Sequence, residues 1–316
     1  MSVDNSALSA LIKENVKSGI ADAAFRRTDL VNLLGSLGRV RDNVGQATVS
    51  WEITTSSNSS VEVFSEGQAP PVAGNQTYKR PALAPFYVRG VFGFTGHVRD
   101  NIEKGAFYDD PAVAEEALLK SDVMKKFEDT LLNSTQDQGI ASIIDATGTY
   151  AGLSQGSVSQ WASEENAVGG ALTYSAMQDL YEEMISPAGG SSVPRGASPT
   201  HWLMPTNQLG NYLALAGFAG TANAAPRFNI GQSPNDFGYS WSGASFSGIP
   251  IVVVSGITST EIYLVDVMGM EIVIHRDLRM DEIVGNPELK QFQVSMGAAL
   301  KVDLRNQHGK MTGVNA

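Results

Sequence analysis

From Val63 to Gly96 the chain reads VFSEGQAPPVAGNQTYKRPALAPFYVRGVFGFTG, and no other segment limits the fold as much. Its ends carry strand patterning, with Val61 and Val63 on one side and Phe86, Val88, Val91 and Phe94 on the other. Its middle holds Pro70, Pro71, Pro81 and Pro85, none of which can donate a ladder hydrogen bond. Gly and polar side chains fill the remainder. The pattern predicts a long hairpin with exposed edges and a register shift near Gly90, held out from a core that gains little from it.

The segments before it are of two kinds. Residues 1–45 form an arm: Leu8, Leu11 and Ile12 give one short helical stripe, Arg26 and Arg27 follow, and VNLLGSLGRVRDNVG is broken by three Gly residues. Such a segment packs on something rather than folding alone. From Thr48 the period becomes two, with Val49, Trp51 and Ile53 alternating with polar neighbours until TTSSNSS interrupts them.

After the hairpin, Asp110 followed by Pro111 is a helix start, an acceptor at the cap and then a residue needing no N–H partner. Val113, Ala117, Met124, Phe127 and Leu131 recur at near-helical spacing, predicting the longest helix of the chain with a break or re-cap at Ser121. A compact unit begins near Thr173, where Met177, Leu180, Tyr181 and Met184 make one apolar face ending before Pro187. HWLMP reads as strand and TNQLGNYLALAG as a helix capped by Thr206. IPIVVVSG, EIYLVDV and EIVIHRD read as three strands, the first buried on both faces. LKQFQVSMGAALKVDL is a long final strand. The class is α+β, with neither βαβ alternation nor a solenoid repeat.

Composition excludes several classes of function. Cys is absent, so no disulfide framework or thiolate metal site exists. No apolar run reaches membrane-helix length, and MSVDNSALSALIKENVKSG has acidic and amide residues where a signal peptide needs a basic start. Synthesis in a cytoplasm is the expectation. Of the net charge of −11, residues 1–126 contribute −1, from 14 Lys and Arg against 15 Asp and Glu; the remainder contributes −10, from 8 against 18. Tight nucleic-acid binding by phosphate neutralisation needs the opposite sign.

No set of residues converges on catalysis. Gly152-Leu153-Ser154-Gln155-Gly156 matches the nucleophile-elbow pattern, but neither a good strand nor a helix flanks it, and it reads as a Gly-rich turn. His97, His201, His275 and His308 share no metal-ligand spacing. Gly90, Gly93 and Gly96 lack the dinucleotide spacing and instead suit a strand bending against a neighbour. Asn58, Asn75 and Asn133 match the glycosylation pattern without a secretory route. The pairs Asp109–Asp110 and Asp281–Glu282 read as solvated groups, at a helix cap and in a charged turn. The expectation is a non-enzymatic protein with no cofactor and no metal.

Taken in order, these pieces resemble the major capsid protein of tailed bacteriophages, with its Hong Kong 97 fold. The resemblance lies in the succession: an arm; a hairpin with Phe64-Ser65-Glu66-Gly67 and a polar turn; a spine helix at DPAVAEEALLKSDVMKKFEDTLLNST; a Gly-rich exit; and an axial domain opened by LTYSAMQDLYEEM. It covers essentially the whole chain. It implies an N-terminal arm at 1–45, an extended hairpin loop at 46–98, and a peripheral domain with the spine helix at 99–165. An axial domain at 166–275 and a returning peripheral strand with the C-terminus at 276–316 complete it.

The resemblance also implies a role. The chain would self-assemble into pentamers and hexamers of an icosahedral or elongated head enclosing double-stranded DNA, without sequence-specific binding and without a membrane. Arm and hairpin would clasp the next subunit, which makes Arg26, Arg27, Trp51, Glu66, Lys79, Arg80 and Arg89 the intersubunit contact candidates. A chain starting at Met1 with only a short arm implies a separate scaffolding protein rather than a cleaved segment; portal and decoration proteins would be further partners. Some relatives join a loop Lys to a neighbour's Asn with help from a Glu. Here that set would be Lys79, Asn286 and Glu288, with a non-covalent Lys79 contact as the simpler expectation. The alternatives are an encapsulin-like nanocompartment shell holding cargo enzyme and, from another class, a serine hydrolase using Ser154.

Overall fold

A computed structural model describes residues 28–42, 47–56, 58, 60–66, 68–95, 98, 111–134, 138–145, 147–154, 158, 161–185, 197–215, 244–286 and 289–315. Helix α1 (Asp29–Ser36) and strand β1 (Val40–Asp42) come first. The hairpin region follows with β2 (Val49–Ser50), β3 (Ile53–Thr54), β4 (Tyr78–Lys79), β5 (Ala82–Leu83) and β6 (Phe86–Thr95). The spine helix α2 (Pro111–Asn133) leads to α3 (Ile140–Ile143), β7 (Thr149–Tyr150), β8 (Leu153–Ser154) and β9 (Glu164–Ala167). Then come α4 (Tyr174–Ile185), β10 (His201–Met204), α5 (Thr206–Leu213), β11 (Ser245–Phe246), β12 (Ile249–Val253) and β13 (Ile262–Val265). Two long strands, β14 (Met270–Asn286) and β15 (Leu289–Val302), precede β16 (Gly309–Thr312).

Two sheets organise the chain, which is α+β. A four-stranded sheet in the order β1-β14-β15-β6 packs against α2, and a six-stranded sheet in the order β11-β12-β10-β13-β16-β9 packs against α4 and α5. Alternation along β6 buries Phe86, Val88, Phe92 and Phe94 while Tyr87, Arg89 and Val91 stay exposed. The buried side meets α2, where Val123, Phe127 and Leu131 recur every four residues and Phe127 stacks on Phe86 with ring centroids 5.3 Å apart. In the second core Met177, Leu180 and Met184 of α4 pack with Trp202, Met204, Ile262 and Leu264.

Several sequence expectations need correction. β6 keeps one register with β15 through the pair Gly90–Val294; the shifts fall on β14, between Ile274 and Arg276, Arg276 and Arg279, and Ile283 and Asn286. Gly90 serves packing, since a β-carbon there would stand 2.6 Å from Leu119 Cδ1 on α2. Helix α2 begins at Pro111 as expected and has no break at Ser121, but Val113 and Ala117 are exposed, because the apolar face enters the core only from Leu119 onward. Strand β12, expected to be buried on both faces, lies beside the edge strand β11 and alternates; it is β13 that is buried at all four residues. Thr206 is the first residue of α5, with Pro205 at its cap. Asp281 is mid-strand, bridged by Arg276 (2.8 Å) and Arg279 (3.1 Å), and not in a turn.

A boundary at residue 275 would cut β14, which continues unbroken from Met270 to Asn286. Nor does everything after it return to the four-stranded sheet. β16 pairs antiparallel with β13 and parallel with β9, so the C-terminal strand closes the other sheet.

Candidate interaction surface

The hairpin has a root tied to the rest of the chain and, among the described residues, a tip that is not. At the root Val49 pairs with Leu83, Ile53 with Lys79 and Thr54 with Tyr78. Thr55 N–H adds a last ladder bond to the Thr77 carbonyl, at 2.8 Å. Val49, Ile53 and Leu83 are buried. Trp51 anchors the root: its Nε1–H donates to the Asp303 carbonyl at 3.2 Å, and its ring lies 6.0 Å from Tyr150 and 6.5 Å from Trp161.

Past Thr55 no ladder continues among the described residues, and further along the return arm Pro70 and Pro71 could not donate to one. Val61 and Val63, which the alternation assigned to a strand, lie outside any strand. They are 82% and 100% exposed, and Phe64 and Val72 are 72% and 92% exposed. Among the described residues the tip is braced by polar contacts within itself, including Gln68 N–H to the Ser65 carbonyl, Ser65 N–H to Gln68 Oε1, and Gln68 Nε2–H to Glu62 Oε1 at 3.2 Å. Neighbouring apolar groups left largely exposed on a braced loop are the sort of surface that marks an interaction site.

The remaining sequence candidates fall in several places. Lys79, Arg80 and Glu66 are exposed on the hairpin, and Arg80 reaches Ser50 Oγ at 3.0 Å. Arg89 is exposed on β6. Trp51, by contrast, spends its ring and N–H on its own chain. Asn286 pairs with Leu289 at the turn between β14 and β15, in a different sheet from Lys79. Arg26, Arg27, Glu288, His97, Asp109 and Asp110 lie outside the described residues.

Ser154 is not at an elbow. It pairs with Thr149 across the turn Ala151–Gly152, whose φ values of 50° and 79° make a tight two-residue hairpin. An elbow needs a nucleophile lifted on the turn between a strand and a helix, whereas Ser154 lies within β8, the second arm of that hairpin. Of the histidines, His201 has a Thr200 hydroxyl 3.0 Å from Nδ1. His308 is wholly buried, and its Nδ1 accepts from Asp266 N–H at 3.3 Å. No cluster of three or more metal-binding side chains occurs among the described residues, and no described helix is long and apolar enough to cross a membrane.

Sequence reasoning missed the buried charges that tie the elements together. Arg305 is fully buried and gives Nε–H to the Ile143 carbonyl at 2.6 Å, Nη1–H to Gly148 and Nη2–H to Asp145, both at 3.3 Å, closing the end of α3. Glu128 is buried on α2, and its two carboxylate oxygens accept the Leu30 and Val31 N–H groups at 2.9 and 3.2 Å. The signal for Glu128 was present, as it follows Phe127 on the apolar side of α2; for Arg305 none was.

No protein-family model matches the sequence, and no curated protein does. Solved structures match over nearly the whole chain. The cyanophage A-1(L) capsid asymmetric unit is 17% identical with a TM-score of 0.74, covering 99% of each chain. The capsid of the native GTA particle is 14% identical with a TM-score of 0.61, covering 98% of this chain and 99% of that one. The holo-SrpI encapsulin complex of Synechococcus elongatus is 14% identical with a TM-score of 0.60, covering 99% and 96%. At these identities the likeness is one of architecture: the chain has the Hong Kong 97-type capsid fold, with spine helix, extended hairpin and two sheets in the order its sequence suggested.

Proposed function

We propose that this chain is the major capsid protein of a tailed bacteriophage, a shell subunit that assembles into pentamers and hexamers of a head enclosing double-stranded DNA. The observation that carries the proposal is the hairpin tip, where Val61, Val63, Phe64 and Val72 are held in water by a root that is firmly packed. Burying each on a neighbour contributes about 1.5–3 kcal/mol before the costs of association. A tip without its own ladder also leaves its edges to a partner and resists pairing with wrong ones. Glu66, Lys79, Arg80 and Arg89 would supply mixed-charge contacts that set register more than strength. Arg26 and Arg27 would do the same from the arm.

The fold likeness to phage capsids supports this reading, and the acidic balance of residues 127–316 suits a wall to which packaged DNA does not adhere. Scaffolding, portal and decoration proteins would be its other partners, and the virion its location after assembly in a host cytoplasm. Lys79 makes a non-covalent contact in this account; a cross-link to Asn286 assisted by Glu288 would instead leave rings that denaturing gels cannot resolve to monomer. A second reading, an encapsulin-like compartment, is favoured by the likeness to the encapsulin complex.

Negative-stain microscopy with light scattering on the purified chain, alone and with the scaffolding protein, tests the assembly. Closed shells or rings of five and six are expected; a monomer under both conditions would overturn it. Nuclease-protected double-stranded DNA in native particles separates a phage head from a cargo compartment.

A further inference from the structure

The root of the N-terminal segment is docked on the spine helix through two buried carboxylates. Glu128, on α2, receives the first-turn N–H groups of α1, those of Leu30 and Val31. Asp29, the first residue of α1, is equally buried and accepts from Ser255 N–H at 2.9 Å and Ser255 Oγ–H at 2.8 Å. Between these polar ties, Leu30, Leu33 and Leu34 fill the core beneath them. Helix α1 has no side-chain cap of its own, so the spine helix supplies its cap in trans.

We infer that the Glu128–α1 contact is a proton-controlled latch: α1, through which the N-terminal segment enters the fold, is held firmly when Glu128 is protonated and more loosely when it is ionised. The geometry carries the argument. An ionised Glu128 must remain in a nearly dry site beside the Asp29 carboxylate, and only backbone N–H groups compensate it. From α1 the charge that bears on it is Asp29's; the Ser255 turn presents a hydroxyl and an N–H; among the described residues no cation from the spine helix or elsewhere acts on it. Undocking α1 would return the carboxylate to water.

Burial pushes the Glu128 carboxyl up from an ordinary 4.5 to about 7, against the lowering by its backbone hydrogen bonds. Docking therefore takes up a proton between those two values. It is tightest below about pH 4.5, weakens about tenfold per unit as pH rises through that window, and is weakest above about 7. The full swing is on the order of a hundredfold. A subunit that must keep its arm in one place before assembly and release it later could use such a latch, but the latch itself does not depend on the shell reading.

Amide hydrogen exchange of the full unassembled chain between pH 5 and pH 8, corrected for the intrinsic pH dependence of exchange, tests the latch. Protection of the Leu33 and Leu34 amides should fall by on the order of a hundredfold across the series, while Val294 to Ala299 in β15 hold steady. In Glu128→Gln the α1 amides should lose this dependence. Protection of α1 that is flat or rises with pH in the wild type, or falls only together with β15, would overturn the latch; the wild-type series decides even if the variant does not fold.

Discussion

Tyr87 lays its ring across Gly297 on the neighbouring strand, so that a β-carbon at position 297 would stand 2.4 Å from ring atoms Cδ1 and Cε1. A glycine inside a strand weakens it, and a cross-strand aromatic restores the missing contact. Gly297→Ala is therefore expected to push the ring off the sheet and cost about 1–3 kcal/mol. The check is a lower urea midpoint at unchanged slope for the unassembled subunit. Gly210→Ala is the contrast: it lies within α5 with nothing inside 4 Å of a new β-carbon, and should stabilise by about 0.5–1 kcal/mol.

Arg305 is the buried tie between the segment after β15 and the end of α3. Arg305→Ala leaves the carbonyls of Ile143, Asp145 and Gly148 without their shared donor and should cost about 3–4 kcal/mol. Arg305→Lys keeps the charge but not the planar fork, and should recover less than half of that in the same denaturation assay.

Two buried groups give opposite pH dependences. His308, wholly buried, is pushed down to about 3 by desolvation, so the folded state refuses a proton that the unfolded chain accepts below about 6.5. Its contribution is present above 6.5 and is lost as pH falls. Glu128, raised to about 7, works the other way, its contribution being present below 4.5 and lost as pH rises. Between pH 4.5 and 6.5 the two offset each other, and wild-type stability should change little from their titration. Glu128→Gln should unmask a loss of about 1.4 kcal/mol per unit of falling pH, measured by denaturation midpoints across that range.

Substituting Val63 and Phe64 together by Ser should leave the lone subunit's stability within about 0.5 kcal/mol, because neither side chain packs on its own chain. The same double variant should lose most of its yield of closed shells. An equal loss of monomer stability would show that the tip belongs to the subunit's own core.

Legibility in the residues depends on how local each cause is. The spine helix was legible because Phe127 and Leu131 recur at helical spacing after Pro111, and β15 because LKQFQVSMGAALKVDL is a strand-like run throughout. The hairpin was legible from the alternation of Phe86 and Val88 after it and from the prolines in its middle. Pairing between distant segments was not. Nothing near Gly309 signals that β16 lies between β9 and β13, since that placement depends on partners more than forty residues away. Strand β14 was cut short because Arg276, Arg279 and Asp281 look like a turn, whereas on an exposed sheet face charges pair with one another. Of the contact candidates, Trp51 lies in a segment whose alternation left its partners unstated; its neighbours, Tyr150, Trp161 and Asp303, are about a hundred residues or more away in sequence.

The central claim is that a neighbouring copy completes the hairpin tip. Electron cryomicroscopy of assembled particles measures this directly. The account predicts Val63 and Phe64 buried against an adjacent subunit, with the root at Val49, Ile53 and Leu83 unchanged. A tip still surrounded by solvent within a closed shell, or folded back on its own subunit, would contradict it.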